Sequence, residues 1–104
     1  METKSKAETF IGFAIRTGKF RIGLNACATL KKASLMIVCN SASENTVKDA
    51  VKLAKKFGCP IITPVQKKLE DITYRENAKV MAIADKDLSK AIIDNSKNDF
   101  IARI

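Results

Sequence analysis

The segment best suited to recognition chemistry is Gly23-Leu24-Asn25, set among Arg16, Lys19, Arg21, Lys31 and Lys32. A glycine followed by a small polar residue opens a helix with its first backbone amides turned outward. That end of a helix carries a partial positive charge and can receive a phosphate. On spacing alone, the same residues also read as an ordinary helix–strand–helix connection with solvated cations.

The groups that would carry catalysis are sparse. The chain has no His, so the commonest general base is missing. Cys27, Cys39 and Cys59 are widely separated, with no Cys-x-x-Cys pair, so no zinc-ligand pattern exists. An activated thiol would need some source of pKa depression other than imidazole. The odd cysteine count and the apolar neighbours lead us to expect buried, reduced thiols. Glu44 and Glu70-Asp71 read as capping or solvated carboxylates. No phosphate-binding glycine loop and no dinucleotide fingerprint occur. A binding module therefore ranks above an enzyme, with no cofactor expected.

Composition points to the partner. The 104 residues suit one domain with one core, and 46% of them are hydrophobic. Nineteen Lys and Arg stand against 11 Asp and Glu, a formal charge of +8. Such an excess favours a polyanion, because phosphate neutralisation releases condensed counterions. Nucleic acid leads. A membrane surface is disfavoured, since no segment pairs a dense basic face with large aromatic residues. The polar opening residues and the lack of a long apolar run predict a cytoplasmic protein.

The elements that must position these residues alternate helix and strand. A first helix is predicted from about Lys6 to Thr17, burying Phe10, Phe13 and Ala14 with Ile11 on the flank. Gly18 closes it in the left-handed conformation. Phe20-Arg21-Ile22 is a short strand, and a second helix runs from Gly23 to about Lys32. Leu35–Cys39 is apolar at every position, as a central strand covered on both faces would be. A third helix follows, capped by Ser41 or Ser43, with Val47, Ala50, Val51, Ala54 and Phe57 inward. Gly58 ends it and Pro60 prevents its continuation. Lys48, Lys52, Lys55 and Lys56 lie on its outer side and read as a solvated exterior. Pro60–Thr63 and Val80–Ala84 are further strands, the latter central. The stretch from Pro64 to Ile72 is a loop running into a short helix. Asp85 caps a last helix with Leu88, Ala91 and Ile92 inward. From about residue 95 the tail either adds a strand or packs loosely. The alternation implies an α/β fold, a sheet between helices.

These residues carry a resemblance. The run from Ile11 to Gly23 resembles the opening of the L-seven-Ae/L-thirty-e ribosomal protein family, and most closely its small bacterial branch. Ala42-Ser43-Glu44-Asn45-Thr46 is similar to that branch's Asp-Ala-Ser-x-Asn-Thr segment. Gly58-Cys59-Pro60-Ile61 is similar to its small-residue-Val-Pro approach to the next strand. The spacing agrees from about Phe10 to Ile92. The resemblance implies a three-layer α/β/α sandwich with a mixed four-stranded sheet. It also implies non-catalytic binding of structured RNA, typically at kink-turns, and possible ribosome association.

The resemblance also implies site residues. In kink-turn binders the second helix begins Gly-x-Asn-Glu, with a Lys three residues after the Glu. Gly23 and Asn25 match; Ala26 and Thr29 replace the Glu and the Lys. An Asn amide both donates to and accepts from base edges, so Asn25 keeps that capacity. Pro64 and Val65 match a loop that packs on an extruded nucleotide. Glu70 stands where the family has a Gly, and a later Gly aligns with Tyr74. The expected interface is Lys19, Arg21, Gly23, Asn25, Lys31, Lys32, Pro64, Val65, Lys67 and Lys68, with cations on the backbone and Asn25 on a base edge. The replacements at Ala26, Thr29 and Glu70 favour an alternative: a protein-interaction or structural module that keeps the fold without kink-turn recognition.

Overall fold

The computed structural model of the chain describes residues 6–96 and 99–102. The chain runs α1 (Lys6–Thr17), β1 (Phe20–Ile22), α2 (Leu24–Ala28), β2 (Leu35–Val38), α3 (Glu44–Phe57), β3 (Ile61–Pro64), α4 (Leu69–Thr73), β4 (Val80–Ile83), α5 (Lys86–Asp94) and β5 (Phe100–Ala102). The strands form one mixed sheet in the order β1-β4-β2-β3-β5. Only β2 and β3 are parallel; the other pairs are antiparallel. The expected central strands, β2 and β4, lie side by side in the interior, and every residue of both is buried.

Alternation along β2 divides the core in two. Leu35, Ile37 and Cys39 join a cluster with Ile11 of α1, Leu69 and Ile72 of α4, and Ile92 of α5. Met36 and Val38 join a second cluster with Cys27 of α2 and Ala50 and Ala54 of α3. Successive side chains of a strand point to opposite faces, so one apolar strand serves both clusters.

Local signals set the element ends. Gly18 (φ 74°) and Gly58 (φ 67°) take the left-handed conformation after α1 and α3. Ser43, rather than Ser41, caps α3, its Oγ accepting from the Thr46 amide at 3.2 Å. Asp85 caps α5, its Oδ1 accepting from the Leu88 amide at 2.9 Å.

Three expectations are corrected. The sheet has five strands rather than four, because the tail returns: Phe100 buries itself and β5 pairs with β3, with the Val65 amide bonded to the Asp99 carbonyl at 2.9 Å. This decides the tail in favour of a strand; residues 97–98 and 103–104 lie outside the described residues, as do residues 1–5. Next, α1 buries Ala7, Ile11 and Ala14, while Phe13 is 45% exposed under the Arg16 guanidinium, 4.9 Å from its ring centroid. The positions 7, 11 and 14 form one helical stripe, and Phe13 lies off it. Finally, α2 stops at Ala28 instead of reaching Lys32. Thr29 ends it by folding its hydroxyl back to the Ala26 carbonyl at 2.6 Å, and the Leu30 amide closes a tight turn on the Cys27 carbonyl at 3.1 Å.

Candidate nucleic-acid interface

Strand direction sorts the loops onto two edges of the sheet. Ile22 pairs with Met81, Val38 with Val80, and β3 runs parallel to β2. The ends of β1, β2 and β3 and the start of β4 therefore share one edge, called here the near end. It carries Gly23-Leu24-Asn25, Asn40-Ser41, Val65–Lys68 and Ala78-Lys79. The opposite edge, the far end, carries Gly18-Lys19, Lys31–Ser34, Gly58–Pro60 and Ala84-Asp85.

The expected interface residues do not all come together. Gly23, Asn25, Val65, Lys67 and Lys68 gather at the near end. Lys19, Lys31 and Lys32 are at the far end, because Phe20 pairs with Ile83 and the Ser34 amide bonds to the Ile83 carbonyl at 2.9 Å. Lys19 is held there by Asp85 at 2.9 Å. Arg21 projects from the middle of β1 as an exposed side chain and donates to the Phe20 carbonyl at 2.8 Å. Pro64 belongs to β3 and is buried, so it offers no open surface to a nucleotide. Its neighbour Val65 is 48% exposed and does.

Gly23 explains how α2 is aimed. Its amide bonds to the Val80 carbonyl at 2.8 Å, which ties the start of α2 to β4. Its φ of 95° with ψ of 145° is a backbone region that is essentially glycine's alone. Asn25 is thereby presented as an exposed side chain in the first turn. With five residues, α2 is too short to supply a strong helix-end field, so the side chain matters more than the dipole.

A set of contacts that sequence reasoning missed clasps the near end. Asn40 donates to the carbonyls of Val65 and Lys67 at 3.4 and 3.3 Å, pinning the loop after β3. Lys79 donates to Glu70 at 2.6 Å and to the Ser41 hydroxyl at 2.8 Å. Ser41 then has its own proton free to face the Cys39 sulfur, 3.1 Å away. The Leu69 amide also donates to that sulfur at 3.2 Å. Burial pushes the Cys39 thiol up, but the Ser41 and Leu69 hydrogen bonds and the Lys79 charge outweigh it, and its pKa falls below the ordinary thiol value. Burial instead raises Cys59 and pushes Cys27 up to about 11. All three thiols are free and buried, as expected.

The carboxylate at Glu70 is compensated. The Lys79 ammonium and the Asn77 amide, at 2.9 Å, hold it below the usual glutamate range. Lys67 is paired with Glu8 at 3.0 Å, and Lys68 is exposed at the start of α4, its amide 3.4 Å from Asp71. Tyr74 ends α4 with a φ of 58°, a conformation in which a glycine would be unstrained. Among the described residues no cluster of metal-ligating side chains occurs, and no helix is long and apolar enough to cross a membrane.

No family model matches the chain, and no curated protein does. Among solved structures it is similar to a protein of unknown function from Bacillus halodurans C, with a TM-score of 0.76 and 16% identity over 91% of this chain and 100% of that one. At that identity the likeness shows the fold alone: a mixed α/β architecture shared over nearly the whole length.

Proposed function

We propose that this chain is a non-catalytic RNA-binding module, a three-layer α/β/α sandwich of the ribosomal-protein type, that docks its near end on a bent, kink-turn-like RNA. One observation carries the reading. Asn25, an exposed side chain able to read a base edge, lies at the same end of the sheet as an exposed apolar residue, Val65, and an exposed cation, Lys68, whose loop Asn40 pins. Hydrogen bonds and apolar contact to bases specify, while cations on phosphate position. The charge of +8 supports a polyanionic partner. The chain has no His, the commonest general base, which favours binding over catalysis. Cytoplasmic residence and ribosome association belong to this same proposal.

The reading is tested by titrating kinked and plain duplex RNA at two salt concentrations. Asn25→Ala is expected to erase the preference for the kinked RNA, a loss of about 1–3 kcal/mol for a good bidentate base contact. Non-specific binding should survive it. Lys31→Ala with Lys32→Ala should weaken both RNAs equally and flatten the salt dependence. Ala26→Glu with Thr29→Lys should strengthen the preference. A wild type without preference, and a restored variant that gains none, would replace this reading with the protein-interaction module.

A further inference from the structure

The RNA-binding reading leaves most of the chain's positive charge unused, and that charge is not spread at random. α3 begins at the near end, just after β2, and finishes at the far end, just before β3. α2 starts at the same end, where Gly23 is tied to Val80, and points the same way. Between the two helices lies an open groove of about 350 Å³, with Asn25 and Ala28 on one wall and Lys52, Leu53 and Lys56 on the other. Its upper end is therefore the residue proposed to read a base.

Lys48, Lys52 and Lys56 recur at intervals of four and so form one row along α3. At 1.5 Å of rise per residue they stand about 6 Å apart and span about 12 Å. All three are exposed, and none has an ion pair among the described residues; neither has their neighbour Lys55. Two of the near-end lysines behave differently: Lys67 and Lys79 are held by Glu8 and Glu70. A helix exterior built only for solvation would interleave carboxylates at the same spacing. α3 offers only Glu44 in its first turn and Asp49, the latter also lining the groove.

We infer that the α2–α3 groove is a track for the phosphate backbone of the RNA stem that leaves the bend, with Lys52 and Lys56 on its wall, Lys48 extending their row one turn beyond it, and Asn25 at its head. This rests on the RNA-binding reading and deepens it: the module grips a length of helix as well as a bend. Exposed Lys31 and Lys32, at the far end, continue the track in the same direction.

The test uses the full chain and two RNAs, a kink-turn with one stem ending at the bend and the same RNA with that stem one helical turn longer. Wild type is expected to bind the longer RNA about tenfold more tightly, with a salt slope steeper by about 2–3, near 0.9 for each phosphate engaged. Lys52→Gln with Lys56→Gln should abolish most of that gain while leaving the shorter RNA bound within about twofold, since the base contact stays. Asp49→Asn should enlarge the gain. Lys86→Gln with Lys90→Gln, an equal charge change on α5, should lose affinity for both RNAs alike and keep the gain. The inference is overturned if wild type binds the two RNAs equally, or if the α5 variant loses the length-dependent gain as fully as the α3 variant. Binding of the shorter RNA that still depends on Asn25, without a gain from length, defeats the track alone. Failure of wild type to bind either RNA defeats both readings.

Discussion

The two ends of the sheet are built from similar residues and use them differently. At the near end, cations and carboxylates are locked together: Lys79 with Glu70 and Ser41, and Lys67 with Glu8, while Asn40 bridges two loops. At the far end, Lys19 has Asp85, but Lys31, Lys32, Lys55 and Lys56 have no ion pair among the described residues. The near end is thus a shaped surface with little free charge, and the far end a charged surface with little shape. A site that must discriminate needs fixed donors and acceptors, because a floating side chain spends its binding energy on being ordered. A site that only attracts phosphate needs unpaired cations and tolerates mobility. The residues of the expected interface thus fall on two surfaces of different character.

The largest expected effect tests whether packing holds the near end. Phe100 sits opposite Pro64 in the sheet and is 5% exposed. Phe100→Ala should lower stability by about 3 kcal/mol or more, as loss of a buried aromatic does. Ile101, next along the strand and 53% exposed, should be nearly silent, within about 0.5 kcal/mol when replaced by Ala. Urea unfolding of both variants decides it; equal effects would mean that β5 is not anchored through Phe100.

A smaller effect sharpens the role of the shaped end. Gly23→Ala places a Cβ on a backbone with φ of 95°. The added atom meets nothing within 4 Å, so any cost is conformational strain, about 1–3 kcal/mol. Thermal unfolding should register that loss, and the variant should also lose preference for kinked RNA because α2 is re-aimed. An unchanged Tm would show that the segment adjusts freely and that the near end is less rigid than its hydrogen bonds imply.

The smallest effect compares the ion pairs of the two ends. The Glu70 and Asp85 carboxyls both titrate below their ordinary values of 4.5 and 3.8. Glu70 is lowered first by the Lys79 hydrogen bond, and Asp85 first by the Leu88 amide and then by Lys19. A depressed carboxylate contributes stability above its unfolded pKa and loses it as pH falls through the folded one. Denaturation midpoints measured between about pH 2.5 and 6 should therefore fall on the acid side, and Glu70→Gln and Asp85→Asn should each flatten that fall. Both pairs lie at the surface within reach of solvent, so the change is small and fades with salt. An acid limb unchanged in both variants would leave the pairs without a thermodynamic role.

Much of this molecule was legible in the sequence because the cause was local. A strand apolar at every position, as in β2 (Leu35–Val38) and β4 (Val80–Ile83), has no exposed face to present, so it had to be interior. Gly18 and Gly58 follow helical stripes and take the one backbone conformation that ends them cheaply, and Asp85 accepts a free amide at the first turn of α5. The residues that went astray answer to partners far along the chain. Lys31 and Lys32 follow Asn25 closely in sequence, yet the antiparallel pairing of β1 with β4 and the early end of α2 send them to the opposite edge. Pro64 lost its place in the loop when the tail returned and extended the sheet beyond β3. Lys79, Asn40 and Cys39 became a clasp only once β2 and β4 were adjacent and α4 was laid over them. Most helices and strands, β5 excepted, and several of their ends were readable from the sequence, since those choices are made within a few residues. Which cations face one another, and which edge each one occupies, was decided by strand order and direction, which depend on the burial of the whole chain at once.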